Sequence, residues 1–135
     1  MKKLHSSLLI AAVLLLFAGI NATAQNPVAG QTDLTVEKFQ QYITAHPKTP
    51  VLDVRTAEEF ATGHIKGATN VPVNDSNFNL LVNKIDKTAP VMVYCRSGHR
   101  SRMACTKLAA LGFTQIYNLD KGIVSWQEAG KPVTK

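Results

Sequence analysis

The chain has 135 residues, of which 45% are hydrophobic and 18% charged, and its formal net charge is +6 at pH 7. It has no basic stripe with interleaved aromatic residues, so nothing in the sequence predicts nucleic-acid binding. The mild positive charge agrees better with a small anionic substrate.

The first 24 residues have the pattern of a secretory signal peptide. Lys2 and Lys3 precede an apolar run over residues 8–20, which is too short to span a bilayer. Small residues at 22–24 then suit cleavage by a signal peptidase. We therefore expect an exported protein, periplasmic or secreted, with no membrane attachment after cleavage. The mature chain would begin near Gln25, and its remaining length suffices for one domain with one core.

A mobile lead-in and a first helix follow the predicted signal. Residues 25–33 are polar and predict the lead-in, which precedes a domain over residues 34–135. Thr35 is a suitable N-cap for a helix that ends before Pro47. The short apolar run at residues 51–54 then predicts a buried strand.

The rest of the chain alternates short strands with helices. Thr56 and Glu59 have the spacing of a capping box, and Gly63 ends the short helix that they begin. Further strands are predicted at 68–73, 91–94 and 115–119, and further helices at 77–85, 100–111 and 122–130. This alternation predicts an α/β fold with a mostly parallel sheet, in which ligands bind outside the carboxyl ends of the strands.

The segment VYCRSGHRS, residues 93–101, carries the main functional signal. Cys95 directly follows a predicted strand, at the edge where ligands bind. The turn amides, the following helix N-terminus and two arginines favour its thiolate, which is the nucleophilic form of cysteine. We predict that Cys95 is the catalytic nucleophile. The predicted substrate-binding residues are Arg96, Ser97, Gly98, His99, Arg100 and Ser101.

The two cysteines, Cys95 and Cys105, raise the question of a disulfide, because an exported chain meets an oxidising compartment. Cys105 lies roughly a turn and a half inside the helix that begins near Arg100. A disulfide requires Cα atoms within about 7 Å of each other, so the bridge would be strained. We expect two free thiols, with Cys105 inert in the core.

Other polar residues are assigned supporting roles. Asp53 and Arg55 end a strand on the side of the cysteine loop, and we expect a structural salt bridge between them. His99 is expected at the exposed rim, because a thiolate nucleophile needs no proton relay. His64 is expected to fix a turn, since a metal role lacks partner ligands, and Trp126 to pack in the core. No metal or cofactor is predicted.

Two reactions use a nucleophilic cysteine in an anion-binding loop: attack on phosphate, and attack on the outer sulfur of a sulfane donor. Cysteine phosphatases carry C-x5-R, whereas here Arg100 follows Cys95 after four residues and Ser101 occupies the arginine position. The shorter ring suits one added sulfur atom better than a phosphoryl group. A cysteine phosphatase or arsenate reductase therefore remains the less favoured alternative.

Three ordered segments carry a family resemblance: VLDVRTAEEFATGHIKGATNVPV, VMVYCRSGHRS and LGFTQIYNLDKGIVSWQEAGKPV. They resemble the signature stretches of single-domain rhodaneses, and the resemblance spans residues 34–133. It implies a rhodanese-like fold, with a central parallel sheet of about five strands flanked by helices on both faces. It also implies a sulfurtransferase without a cofactor. In that reaction Cys95 carries sulfur, as a persulfide, from thiosulfate or a related small anionic donor to a thiol or cyanide.

One position departs from the family pattern and one functional alternative stays open. Lys121-Gly122 stands where the family commonly has two glycines, which bears on substrate preference. The alternative is a rhodanese-like module that carries sulfur or docks a partner without turnover. Intact Cys95 and arginines favour turnover. The sequence does not indicate the oligomeric state.

Overall fold

Five short strands alternate with five helices along residues 27–135, the part of the chain that the computed structural model describes. In chain order they are β1 (Gln31–Leu34), α1 (Val36–Ala45), β2 (Val51–Asp53), α2 (Ala57–Thr62), β3 (Thr69–Asn70), α3 (Phe78–Val82), β4 (Val91–Tyr94), α4 (His99–Ala110), β5 (Ile116–Leu119) and α5 (Gly122–Glu128). The predicted signal peptide, residues 1–24, lies outside the described residues.

The strands form one parallel sheet in the order β1-β5-β4-β2-β3. Strand β4 lies at its centre, and all four of its residues are buried. Side chains of α3 and α4 pack on one face of the sheet, and side chains of α1 and α5 pack on the other. This arrangement confirms the predicted α/β fold, and it explains why β4 is apolar throughout.

Local sequence signals set the helix starts. The Thr35 hydroxyl accepts the Lys38 amide at 3.3 Å and so caps α1. Thr56 and Glu59 form the reciprocal capping box that begins α2, as the sequence predicts. Within residues 27–135, no helix has the length and apolar character that crossing a membrane requires.

Strand β1 is the main departure from the sequence prediction, which placed residues 31–33 in the mobile lead-in. The structure pairs β1 with β5 in parallel, from Gln31 opposite Ile116 to Leu34 opposite Leu119. Its central residues are exposed because it forms an edge of the sheet. Main-chain hydrogen bonds to β5, rather than a run of buried apolar side chains, hold β1 in the sheet. The sequence therefore has no apolar pattern here that would predict a strand.

Candidate active site

The cysteine loop lies at the carboxyl end of the central strand. Cys95 follows the last residue of β4, Tyr94, which lies opposite Asp53 of β2 in the sheet. Helix α4 begins four residues after the cysteine, at His99. The Cys95 side chain is only 1% exposed, so the thiol lies at the bottom of the loop rather than on the surface. The predicted position at the ligand-binding edge of the sheet matches this location.

Two groups contact the sulfur of Cys95. The amide N–H of Gly98 donates to Sγ at 3.1 Å, and the hydroxyl oxygen of Ser101 lies 3.5 Å from Sγ. Ser101 is fully buried, and its hydroxyl also donates to the Gly98 carbonyl at 3.0 Å. Gly98 has a φ of 109°, and a Cβ there would collide with the carbonyl oxygen of Asp120. The tight turn that presents this amide therefore requires glycine.

Helix α5 holds the outer side of the same loop. The amide of Ile123 donates to the Cys95 carbonyl at 2.9 Å, and the amide of Val124 donates to the Arg96 carbonyl at 3.1 Å. The C=O and N–H of a trans peptide point in opposite directions. The next two amides, of Arg96 and Ser97, therefore point away from α5. These two bonds satisfy N–H groups in the first turn of α5, which have no partner within the helix, and they also fix the position of the loop.

This contact needs glycine at position 122. Gly122 has a φ of 66°, and a Cβ there would lie 2.6 Å from the carbonyl oxygen of Cys95 and closer still to that of Arg96. In the sequence, Gly122 stands out only as the neighbour of Lys121. The sequence does contain one signal of this contact, a glycine at the first position of a predicted helix. Glycine is useful at such a position where another stretch of backbone approaches closely.

Arg100 is bound by a carboxylate that sequence reasoning treated only as a helix cap. Its Nη1 and Nη2 donate to Oε2 and Oε1 of Glu59 at 2.7 and 2.8 Å. Glu59 Oε2 also accepts the amide and the hydroxyl of Thr56. The Arg100 hydrogen bonds lower the pKa of Glu59 to about 2, and the same carboxylate raises the pKa of Arg100. The predicted capping role of Glu59 is confirmed, and the same carboxylate also fixes the side chain of Arg100.

The remaining predicted loop residues lie at the surface. Arg96, Ser97 and His99 are exposed, and among residues 27–135 no ion pair involves Arg96. His99 borders a surface cavity of about 660 Å³ between β1 and α4, whose wall does not include Cys95. The predicted exposure of His99 is confirmed, and its place at the rim of the substrate site stays a prediction. Arg96 is the loop guanidinium that is open to an incoming anion.

Asp53 and Arg55 form the predicted salt bridge beside the loop. Arg55 Nη2 donates to Asp53 Oδ2 at 2.6 Å, and both side chains are nearly inaccessible to solvent. The Arg55 amide and Nε donate to Asp53 Oδ1, each at 3.0 Å. Arg55 Nη2 also donates to the carbonyl of Gly63, at the end of α2. The pair ties β2 to α2, and it lies one strand away from Cys95.

Both cysteines are free thiols, as predicted. Cys105 is fully buried on α4, and burial raises the pKa of its thiol to about 12. At neutral pH this thiol is protonated and unreactive, because the thiolate is the nucleophile. The two cysteines of the chain are therefore not equivalent, and Cys95 stays the predicted nucleophile.

His64 and Trp126 have the structural roles that the sequence predicts. His64 Nδ1 lies 3.0 Å from the Phe60 carbonyl oxygen, and its ring stacks on that of Phe60. Trp126 is 4% exposed and meets Phe39 edge to face in the core. Over residues 27–135, no three or more His, Cys, Asp or Glu side chains cluster in a way that would hold a metal ion.

The Glu59–Arg100 pair makes the stability of the fold depend on pH. Since the pKa of Glu59 falls from an ordinary 4.5 to about 2, its pairing stabilises the folded chain fully above about pH 5. The stabilisation is lost as the pH falls through about 2. After allowance for partial exposure it amounts to about 1–2 kcal/mol. Urea denaturation should show a smaller loss of stability between pH 7 and pH 3 in Glu59→Gln than in the unmodified chain. Equal losses would contradict this.

Comparison with known proteins places the chain in a family. The profile of the family described as "Rhodanese-like domain" matches residues 35–129. A thiosulfate sulfurtransferase, GlpE, from Shewanella oneidensis is 33% identical over 96 residues, which cover 71% of this chain and 92% of that protein. A sulfurtransferase from Allochromatium vinosum is 32% identical, with 75% and 92% covered. The chain belongs to the rhodanese-like family and has a single rhodanese-like domain.

Solved structures agree with this assignment. A rhodanese-related protein from Thermoplasma volcanium superposes with a TM-score of 0.66 at 30% identity, covering 76% of this chain and 96% of that one. The family includes proteins named for different roles. One relative from Bacillus subtilis, 28% identical and covering 70% of this chain and 50% of its own length, is named as a putative sulfur carrier protein.

Proposed function

We propose that this protein is a sulfurtransferase that moves sulfane sulfur from thiosulfate, or a related persulfide donor, to a thiol or cyanide through a Cys95 persulfide. The observation that carries the proposal is the setting of Cys95 Sγ. It is buried beneath a tight loop, 3.1 Å from the Gly98 amide and 3.5 Å from the Ser101 hydroxyl. Family membership and the relatives named as sulfurtransferases support it.

The first half-reaction is a displacement at sulfur. The Cys95 thiolate attacks the outer sulfur of thiosulfate, so that an S–S bond forms to Sγ while the donor's S–S bond breaks. Sulfite leaves with the electron pair of the broken bond. In the second half-reaction the acceptor, as a thiolate or cyanide, attacks the outer sulfur. A persulfide or thiocyanate forms, and the thiolate of Cys95 returns.

The loop groups suit the anions in this cycle. The Gly98 amide donates to Sγ and would stabilise a sulfur that carries negative charge. Once the thiolate exists, neither half-reaction needs a general base. This agrees with the outward position of His99, the loop residue that would otherwise be the natural base.

The loop gives less support to phosphate chemistry. The position where a cysteine phosphatase has arginine holds Ser101, which is fully buried and hydrogen-bonded to Gly98 within the loop. Arg100, one residue earlier, has its terminal nitrogens bound to Glu59. Neither residue is placed to surround a tetrahedral phosphoryl group, and we therefore rank a phosphatase or arsenate reductase below sulfur transfer.

A sulfur carrier that hands its sulfur only to a partner protein is the second candidate function. The relative named as a putative sulfur carrier protein is the observation that favours it. Such a module would form the same Cys95 persulfide. It would differ in the second half-reaction, because small acceptors would not discharge it. The two candidate functions therefore differ in which acceptors discharge the persulfide, and not in which donors load it.

We also propose that the protein is exported. The proposal rests on the first 24 residues, which combine a basic start, a short apolar run and small residues before Gln25. An N-terminal sequence near Gln25 on protein recovered from the periplasm or medium is the expected result. Export would place the Cys95 thiol in an oxidising compartment, where a persulfide or mixed disulfide is the form to look for.

The proposed function is tested by weighing the protein after exposure to thiosulfate, an organic persulfide and mercaptopyruvate in turn. We expect thiosulfate to add one sulfur atom to the unmodified protein and to Cys105→Ser, but none to Cys95→Ser. Cyanide should then remove that sulfur and release thiocyanate. Loading that cyanide and small thiols cannot reverse would assign the protein as a carrier. No gain of sulfur from any donor would overturn both candidates.

A further inference from the structure

Glu59 spans from helix α2 to the cysteine loop, 41 residues further along the chain. Its carboxylate binds the terminal nitrogens of Arg100 at 2.7 and 2.8 Å, in the side-by-side geometry that carboxylates and guanidinium groups prefer. The two side chains are 30% and 25% exposed, so the pair is accessible to solvent rather than in the core. Arg100 is the second residue of α4, five residues after Cys95, so the pair is next to the loop that holds the sulfur.

The pair changes the charge that a donor meets. The pKa of Glu59 is about 2, so its carboxylate is ionised throughout the neutral range and cancels the charge of Arg100. One N–H of each terminal nitrogen of Arg100 donates to Glu59, so the carboxylate takes two of the five guanidinium N–H donors. The sulfonate oxygens of a donor such as thiosulfate would therefore meet a paired guanidinium with no net positive charge, or would have to compete with a tethered carboxylate for it. Arg96 is exposed and has no such partner among residues 27–135.

Building on the proposed function, we propose that Glu59 is a specificity-determining residue that acts through Arg100. By pairing with the Arg100 guanidinium and cancelling its charge, it weakens binding of doubly charged donors relative to singly charged ones. The loop amides and Arg96 are left to bind the donor. The site is thereby tuned toward monoanionic sulfane donors, such as thiosulfonates and organic persulfides, and away from dianionic thiosulfate.

The test replaces Glu59 by glutamine, which removes the charge and keeps the oxygen that caps α2. The expected result is a KM for thiosulfate lower by about threefold, with kcat nearly unchanged and the KM for methanethiosulfonate, a monoanion, changed less. The matched control is Glu58→Gln on the same turn. Glu58 is exposed and has no ion-pair partner among residues 27–135, so it reports the general loss of one negative charge.

A second readout does not need sulfur transfer. Iodoacetate and iodoacetamide have nearly the same shape, but only iodoacetate is anionic, and each alkylates a thiolate with loss of iodide. The ratio of their rate constants at Cys95 should rise about threefold in Glu59→Gln and stay unchanged in Glu58→Gln. Adding Arg100→Gln to Glu59→Gln should abolish the rise, because the freed guanidinium is then gone.

The outcomes separate this inference from the proposed function. An alkylation ratio that is unchanged in Glu59→Gln, or that rises equally in Glu58→Gln, overturns the role of Glu59. A KM that rises for both donors together with a fall in kcat also overturns it, since Glu59 would then only hold the loop in shape. Failure of the unmodified protein to take up sulfur would overturn the proposed function, and the alkylation ratio would still decide whether Glu59 screens Arg100.

Discussion

Gly122→Ala is expected to destabilise the fold by about 3 kcal/mol and to slow sulfur loading of Cys95 at least about a hundredfold. Gly122 has a φ of 66°, where any residue with a Cβ is strained by roughly 1–2 kcal/mol. The added Cβ would also collide with the carbonyl oxygens of Cys95 and Arg96. The backbone of α5 or of the loop must therefore move.

The expected effect on activity follows from the bonds that cross this contact. The amides of Ile123 and Val124 hold the Cys95 and Arg96 carbonyls at 2.9 and 3.1 Å. If the helix retreats, these bonds break and the loop is free to turn its amides away from the sulfur. A displacement of about 1 Å at a reacting group is enough for a hundredfold loss of rate.

Gly130→Ala is the matched control for this experiment. Gly130 has a φ of 73°, but a Cβ there meets nothing within 4 Å. Gly130→Ala should therefore lower the stability of the fold only by the backbone strain, roughly 1–2 kcal/mol, and leave sulfur loading unchanged. Urea denaturation measures the stabilities, and mass spectrometry after timed exposure to thiosulfate measures loading. Equal effects of the two substitutions on loading would show that contact of α5 with the loop does not organise the site.

The sequence predicts those parts of the fold whose signals are local. Strand β4 is four buried residues that end at Tyr94, directly before Cys95, and the capping residues Thr35 and Thr56 stand directly before their helices. Since a parallel sheet binds ligands at the carboxyl ends of its strands, the position of the candidate nucleophile, directly after β4, is predictable. The supporting pair of Asp53 and Arg55 is also local, because its members are two residues apart.

Features that depend on distant chain segments meeting were not predicted. Glu59 and Arg100 are 41 residues apart, and each also has a complete local explanation, as a helix cap and as a loop cation. Gly122 acquires its role only when α5 meets the cysteine loop in three dimensions. Strand β1 is recognisable only by the backbone that it pairs with, because its central side chains are exposed. Each of these three features depends on the tertiary arrangement, which the spacing of apolar residues along the chain does not reveal.

Asp53→Asn is expected to destabilise the fold by about 3–5 kcal/mol, because it leaves the charge of Arg55 buried without a counterion. The two side chains are 0% and 6% exposed, and Asp53 accepts hydrogen bonds from the Arg55 amide, Nε and Nη2. Asparagine has nearly the same volume, so the loss measures charge pairing rather than a cavity. The displaced guanidinium would also loosen its hydrogen bond to the Gly63 carbonyl.

Asp120→Asn is the matched control, because it removes the same charge from an ion pair at the surface. Asp120 binds Arg102 at 2.8 Å, but their side chains are 40% and 47% exposed, so the expected loss is at most about 1 kcal/mol. Urea denaturation at pH 7 compares the two. A similar small loss in both variants would mean that water reaches the Asp53–Arg55 pair, and the pair would then not be a buried link between β2 and α2.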